Sequence, residues 1–115
     1  TFGGNPLCCA SSLATLQVIE DEKLLESVEE KGKLFETLLR HPRIKAIRRI
    51  GLLFAIDFES AAVVARIVEE AKKLGVICYW FLSHPNSFRI APPLTITHEQ
   101  INESCSSILQ AIDNA

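Results

Sequence analysis

No methionine occurs among the 115 residues of this chain. Translation starts with methionine, so the chain is expected to be a fragment or a proteolytic product. No run of about eighteen apolar residues is present either, which argues against a membrane-spanning helix. No basic segment followed by an apolar one opens the chain, so a secretory signal is not expected, and the cytoplasm is the default compartment. The four cysteines, Cys8, Cys9, Cys78 and Cys105, fit neither zinc-site nor thioredoxin spacing. Outside an oxidising compartment they are expected to be reduced, buried thiols. The three histidines stand apart from them in sequence, so a metal site has little support. Charge of one sign is not in excess: the net charge is −2. Nucleic acid and membrane surfaces are therefore not expected partners. A Ser-His-Asp set, paired carboxylates at useful spacing, a phosphate-cradling Walker loop, internal repeats and low-complexity tracts are also missing.

What is present is a globular composition, 48% hydrophobic and 23% charged, in a length that suits one domain with a modest core. The pattern predicts a helix over 6–21, with Asn5 as N-cap and Pro6 at the first helical position. Leu13, Leu16, Val18 and Ile19 form much of its apolar face, and its first turns carry small residues that suit a packed interface. A second helix is predicted over 22–40, ending at His41-Pro42. Residues 44–49 alternate as a strand, and 52–58 is apolar enough for a central strand. Ser60 caps a helix over 61–74 with Val64, Ile67, Val68, Ala71 and Leu74 inward, and Gly75 stops it. Strands are predicted over 76–82 and 88–91, separated by a turn at 83–87. Thr97 and Gln100 frame a capping box for a last helix with Ile101, Cys105, Ile108, Leu109 and Ile112 inward. Short strands with hairpin-like links give an α+β fold: a small, mostly antiparallel sheet with helices packed on one face, preceded by a long helix.

Two segments carry chemistry. Thr1-Phe2-Gly3-Gly4-Asn5-Pro6 places a hydroxyl and flexible glycine amides beside a helix N-terminus, which suits a phosphate, though a plain turn reads the same way. In Phe88-Arg89-Ile90-Ala91-Pro92-Pro93-Leu94, one arginine sits among apolar residues on a short strand. If buried, it needs a carboxylate, and its fork matches one bidentately. A structural ion pair or a solvated edge residue is the alternative. The basic cluster Arg40, Arg43, Lys45, Arg48 and Arg49 lacks interleaved aromatics for base stacking. It reads as a solvated strand face or as ion pairs to a neighbouring domain. Tyr79 and Trp80 are expected to pack in the core.

Taken in order, Thr1–Leu7, Ile47–Leu53 and Arg89–Thr97 resemble three segments of the class III, fold-type-I pyridoxal-phosphate (PLP) aminotransferases, the acetylornithine and ornithine enzymes above all. The resemblance covers nearly the whole chain. It implies an interface loop and helix over 1–20, following a large domain, and a C-terminal small domain over 21–115. It implies that Thr1 reaches the PLP phosphate of the partner subunit in a homodimer, that Gly3, Gly4 and Asn5 shape the same loop, and that Arg89 holds a substrate carboxylate. It places the catalytic lysine upstream, so no catalytic residue is expected in this chain. The parent is then a transaminase acting on amino-acid and 2-oxo acid substrates, while the chain alone is inactive and does not retain PLP. The other readings are a relative with aminomutase or decarboxylase activity, or a non-catalytic oligomerisation domain. One departure stands out: Arg49 occupies a position where the family has glycine.

Overall fold

The structure is a computed structural model that describes residues 3–115; the roles implied for Thr1 fall outside the described residues. Helix α1 (Pro6–Asp21) starts as its sequence dictates. Asn5 Oδ1 accepts the amides of Leu7 at 3.0 Å and Cys8 at 3.4 Å, satisfying two of the helix's orphan donors. Lys23 then adopts a left-handed backbone, with φ of 51°. That turn divides the helix expected over 22–40 into a 3-10 turn (Leu24–Ser27) and a shorter α2 (Val28–Leu38).

Strands β1 (Ala46–Ile50) and β2 (Leu53–Asp57) form an antiparallel hairpin in which Ile50 faces Leu53. Gly51 turns the corner with φ of 57°, a value that favours glycine. Helix α3 (Ala61–Lys73) is capped by the Ser60 hydroxyl, which accepts the Val63 amide. It closes in a Schellman motif: Gly75 N–H donates to the Lys72 carbonyl and Val76 N–H to that of Ala71. Strand β3 is confined to Tyr79–Trp80, much shorter than the predicted 76–82, and β4 spans Ser87–Ile90. Helix α4 (His98–Asn114) opens with the predicted capping box, Thr97 and Gln100 each bonding the other's backbone amide.

The sheet order is β1-β2-β4-β3 with every pairing antiparallel. Side chains alternate across it. Phe54, Ile56, Phe88 and Ile90 are buried on one face with Phe35, Leu39, Val64, Ile67, Ile101, Ile108 and Ile112 from the helical segments. Phe35 and Phe54 meet with ring centroids 5.0 Å apart, and Phe58 stacks on Phe88 at 5.5 Å. Each such side chain contributes about 1.5–3 kcal/mol by leaving water. The α+β architecture with helices over one sheet face is as expected. The opposite sheet face carries Arg48, Ala55, Asp57, Tyr79 and Arg89, and among the described residues no helix covers it.

The apolar face assigned to α1 finds no core. None of its residues is buried, and Leu7, Leu13 and Leu16 are 79%, 66% and 62% exposed. Cys8 and Cys9 are exposed as well, contrary to the expectation of buried thiols, whereas Cys78 and Cys105 are buried. Burial pushes the Cys78 thiol up to about 11 and the Cys105 thiol up to about 12, so both stay protonated at neutral pH. The protruding helix shows in the radius of gyration, 16.2 Å, against about 13 Å for a compact domain of this length. Among the described residues, no helix is long and apolar enough to cross a membrane.

Candidate functional site

The open sheet face is built by strand alternation. Phe88 and Ile90 point to the helices, so Arg89 between them points away. Its direct cross-strand neighbours are Ala55 on β2 and Tyr79 on β3. Arg89 is exposed, so the burial cost that would demand a carboxylate does not arise. Among the described residues it forms no ion pair. It is also not on an edge, because β4 lies between β2 and β3. Two rings hold its head instead: Arg89 Cζ lies 5.7 Å from the Tyr79 centroid and 6.0 Å from that of Phe81. Each such contact contributes about 0.5–1 kcal/mol at an exposed position. Tyr79 and Trp80, expected in the core, are about half exposed. The aromatic neighbours of Arg89 escaped sequence reasoning. Their signal was the alternation Tyr79, Phe81 in a strand pairing with β4.

Beside Arg89 lies a polar cluster that no local motif announces. Arg48 grips Asp57 bidentately, Nε to Oδ2 at 3.2 Å and Nη2 to Oδ1 at 2.7 Å. The fully buried Ser87 hydroxyl donates to Asp57 Oδ1, and His84 Nε2 stands 3.9 Å from the same oxygen. Burial pushes the Asp57 carboxyl up, but the hydrogen bonds from Arg48 and Ser87 outweigh it and hold the group below its ordinary 3.8. A hollow of about 190 Å³ lies over Arg48, Ile50, Leu53, Ala55 and Phe81. The small Ala55 side chain keeps that space open.

Of the basic cluster, Arg43, Arg48 and Arg49 find carboxylate partners inside the chain, while Arg40 and Lys45 are exposed. Arg43 donates to the Ile112 carbonyl at 2.8 Å and pairs with Glu59. Arg49 does most. Its side chain is 11% exposed, and Nη1 and Nη2 donate to the two Glu29 oxygens at 2.9 and 2.8 Å. Its Nε lies 3.0 Å from Glu36 Oε2, an ion-pair contact rather than an aligned hydrogen bond. The guanidinium runs over Gly32 of α2: a Cβ there would sit 2.6 Å from Nη1 and 2.9 Å from the Gly51 carbonyl oxygen. Arg49 therefore ties α2 to the β1–β2 hairpin, while Arg48 and Arg89 stand on the open face.

At the other end, Gly4 has φ of 77°, and a Cβ on Gly3 or Gly4 would meet nothing within 4 Å. The amides of Leu7, Cys8 and Cys9 at the start of α1 are already taken by Asn5, so an oxyanion there meets the exposed Gly3–Gly4 backbone rather than the helix's own first donors. Asn5 Oδ1 is committed to capping the helix. The loop and Arg89 were both legible as candidates. Among the described residues, Gly3, Gly4, Asn5 and Arg89 are exposed.

The two-layer α+β unit matches a part of known aminotransferases. A Bacillus anthracis aminotransferase superposes with a TM-score of 0.88 and 31% identity over 100% of this chain and 30% of that one. The Toxoplasma gondii ornithine aminotransferase, whose structure has PLP at partial occupancy, superposes with a TM-score of 0.85 and 35% identity, over 97% of this chain and 28% of its own. In sequence, the ornithine aminotransferase of Oceanobacillus iheyensis is 38% identical over 99% of this chain and 28% of its own length. That of Bacillus subtilis is 38% identical over 100% and 28%. The chain thus spans under a third of the curated relatives it matches. The family profile described as Aminotransferase class-III matches residues 1–112. This chain belongs to the class III aminotransferase family.

Proposed function

We propose that the chain is the C-terminal part of a PLP-dependent transaminase that moves an amino group from an ornithine- or acetylornithine-like donor to a 2-oxo acid such as 2-oxoglutarate. The observation that carries this reading is Arg89: an exposed guanidinium on the uncovered sheet face, ring-supported, with no carboxylate of its own among the described residues. Residues 21–115 form the small domain. Residues 1–20 form the loop and helix that dock on the large domain and the homodimer partner, in keeping with an α1 that buries nothing here.

PLP, when bound, supplies an electron sink for the substrate carbon that carries the amino group. The described residues suit its phosphate: Gly3 and Gly4 are exposed and Asn5 fixes the helix end behind them; the resemblance adds a hydroxyl from Thr1 toward the partner subunit's cofactor. Arg89 binds and orients the substrate carboxylate. Lys31 donates to the Leu94 carbonyl at 2.8 Å, and Lys23, Lys33 and Lys73 face surface carboxylates at 3.9, 3.8 and 2.6 Å. The resemblance puts the catalytic lysine in the large domain, and the isolated chain is inactive and does not retain PLP.

The test uses the full-length parent. A charged hydrogen-bonded contact is worth about 1.5–3 kcal/mol, so Arg89→Ala should raise KM for the 2-oxo acid by about 10–100-fold. PLP retention, followed by absorbance, should stay unchanged. Thr1→Val should do the reverse and loosen PLP. Equal losses of substrate and cofactor binding in Arg89→Ala would overturn the carboxylate role.

A further inference from the structure

Two arginines flank one small residue on the open face. Arg48 on β1 and Arg89 on β4 both stand directly opposite Ala55 of β2, one on each side. Asp57 follows two residues along β2 on the same face. It is therefore the diagonal neighbour of both arginines, a separation of about 7–8 Å between backbones. Arg48 is the one that takes it, Nε donating to Oδ2 at 3.2 Å and Nη2 to Oδ1 at 2.7 Å. The head of Arg89 leans instead toward the Tyr79 and Phe81 rings. The sheet itself depends on Asp57, because the carboxylate accepts the hydroxyl of the fully buried Ser87.

A carboxylate thus stands beside the site read as binding a carboxylate, and its charge has to be met. A bare Asp57 would repel an incoming substrate carboxylate and compete with it for the Arg89 guanidinium. At such a range, on a partly wet face, one unit charge changes binding by about three- to tenfold. With Arg48 bound bidentately, the pair presents no net charge to the ligand. His84, 3.9 Å from Oδ1, stands too far away to replace that contact. We propose that Arg48 is a positioning residue that acts through Asp57: it neutralises the carboxylate that orders the sheet and so preserves the affinity of Arg89 for a carboxylate substrate. This rests on the reading of Arg89 as the carboxylate site. It holds whatever further groups the rest of the parent brings to Arg89.

The test uses the full-length enzyme, with steady-state kinetics for the 2-oxo acid and Arg89→Ala as the reference. Arg48→Met should raise KM about three- to tenfold, with kcat and PLP absorbance near the parent's. Arg48→Met combined with Asp57→Asn removes the bare charge, keeps an acceptor for Ser87, and should return KM to near the parent value. Arg48→Lys keeps the cation and should also stay near it. The KM ratio between Arg48→Met and the parent should shrink in about 0.5 M salt, where charges at this range are screened. A distorted sheet would respond neither to the second substitution nor to salt. If the double variant is as impaired as Arg48→Met, or if kcat and PLP content fall together with affinity, Arg48 only supports the fold and the proposal is overturned. If Arg89→Ala raises KM and Arg48→Met does not, the neutralising role is wrong while the carboxylate site survives. If Arg89→Ala leaves KM unchanged, both readings fall.

Discussion

Asp57 shows how one carboxylate can order a sheet face. It accepts from Arg48 and from Ser87, on the strands to either side of it, and so bridges β1 and β4 across β2. Its folded pKa lies below the ordinary 3.8. A depressed carboxylate contributes stability that is complete above the unfolded-chain value, about 3.9, and disappears as pH falls through the folded value. Replacing Arg48 by Met removes the main group that lowers it. The variant is expected to be less stable than the parent at pH 7, with the difference narrowing below about pH 4 as the parent's advantage titrates away. Urea midpoints at pH 7 and pH 3 check this; a constant difference would mean that the Arg48–Asp57 pair carries no linked proton. Arg89 was legible because its immediate neighbours are apolar and its segment is distinctive. The Arg48–Asp57–Ser87 cluster was not, because its members are 9 and 30 residues from Asp57 and meet only through the strand register.

The helices divide along the same line between local and distant causes. Where a boundary is set by neighbours in sequence, reading the residues located it: Asn5 and Pro6, Ser60, Gly75, and the Thr97–Gln100 box all act as expected. The break at Lys23 had no such signal, since lysine rarely takes positive φ and no glycine marks the turn. Strand β3 was overestimated because 76–82 has the apolar, β-branched and aromatic composition of a strand. Only Tyr79 and Trp80 pair in register with β4, itself four residues long. The capping box offers a clean check. Thr97→Ala frees the Gln100 amide at the start of a helix that carries five buried side chains. It should cost about 1 kcal/mol in urea denaturation, and Thr97→Ser should recover most of it.

The molecule as a whole is a folded unit with an appended helix. The core is drawn from α2, α3, α4 and the sheet, and α1 contributes no buried residue. Deleting residues 1–20 should therefore change the stability of the remainder by less than about 0.5 kcal/mol, the usual range for exposed positions. It should also reduce self-association, because Leu7, Leu13 and Leu16 leave with it. A large loss of stability would mean that 21–115 is not an independent domain. The misassigned burial of α1 and its cysteines has the same origin. Its sequence carries the composition of a packed helix, but composition names no partner, and nothing within the described residues supplies one.

The contact between Arg49 and Gly32 also constrains how this lineage can change. A helix interior ordinarily gains from exchanging glycine for alanine, by about 0.5–1 kcal/mol. Here that gain is barred while Arg49 lies across the position, with a Cβ at Gly32 meeting both the guanidinium and the Gly51 carbonyl. Shortening residue 49 removes the guanidinium but leaves the Gly51 carbonyl oxygen 2.9 Å from a Cβ at 32, so a side chain there also requires the β1–β2 turn to move. Any side chain gained at 32 while Arg49 is in place evicts the arginine from Glu29 and Glu36. Position 32 is held to glycine twice over, by a side chain that can change and by a backbone that cannot.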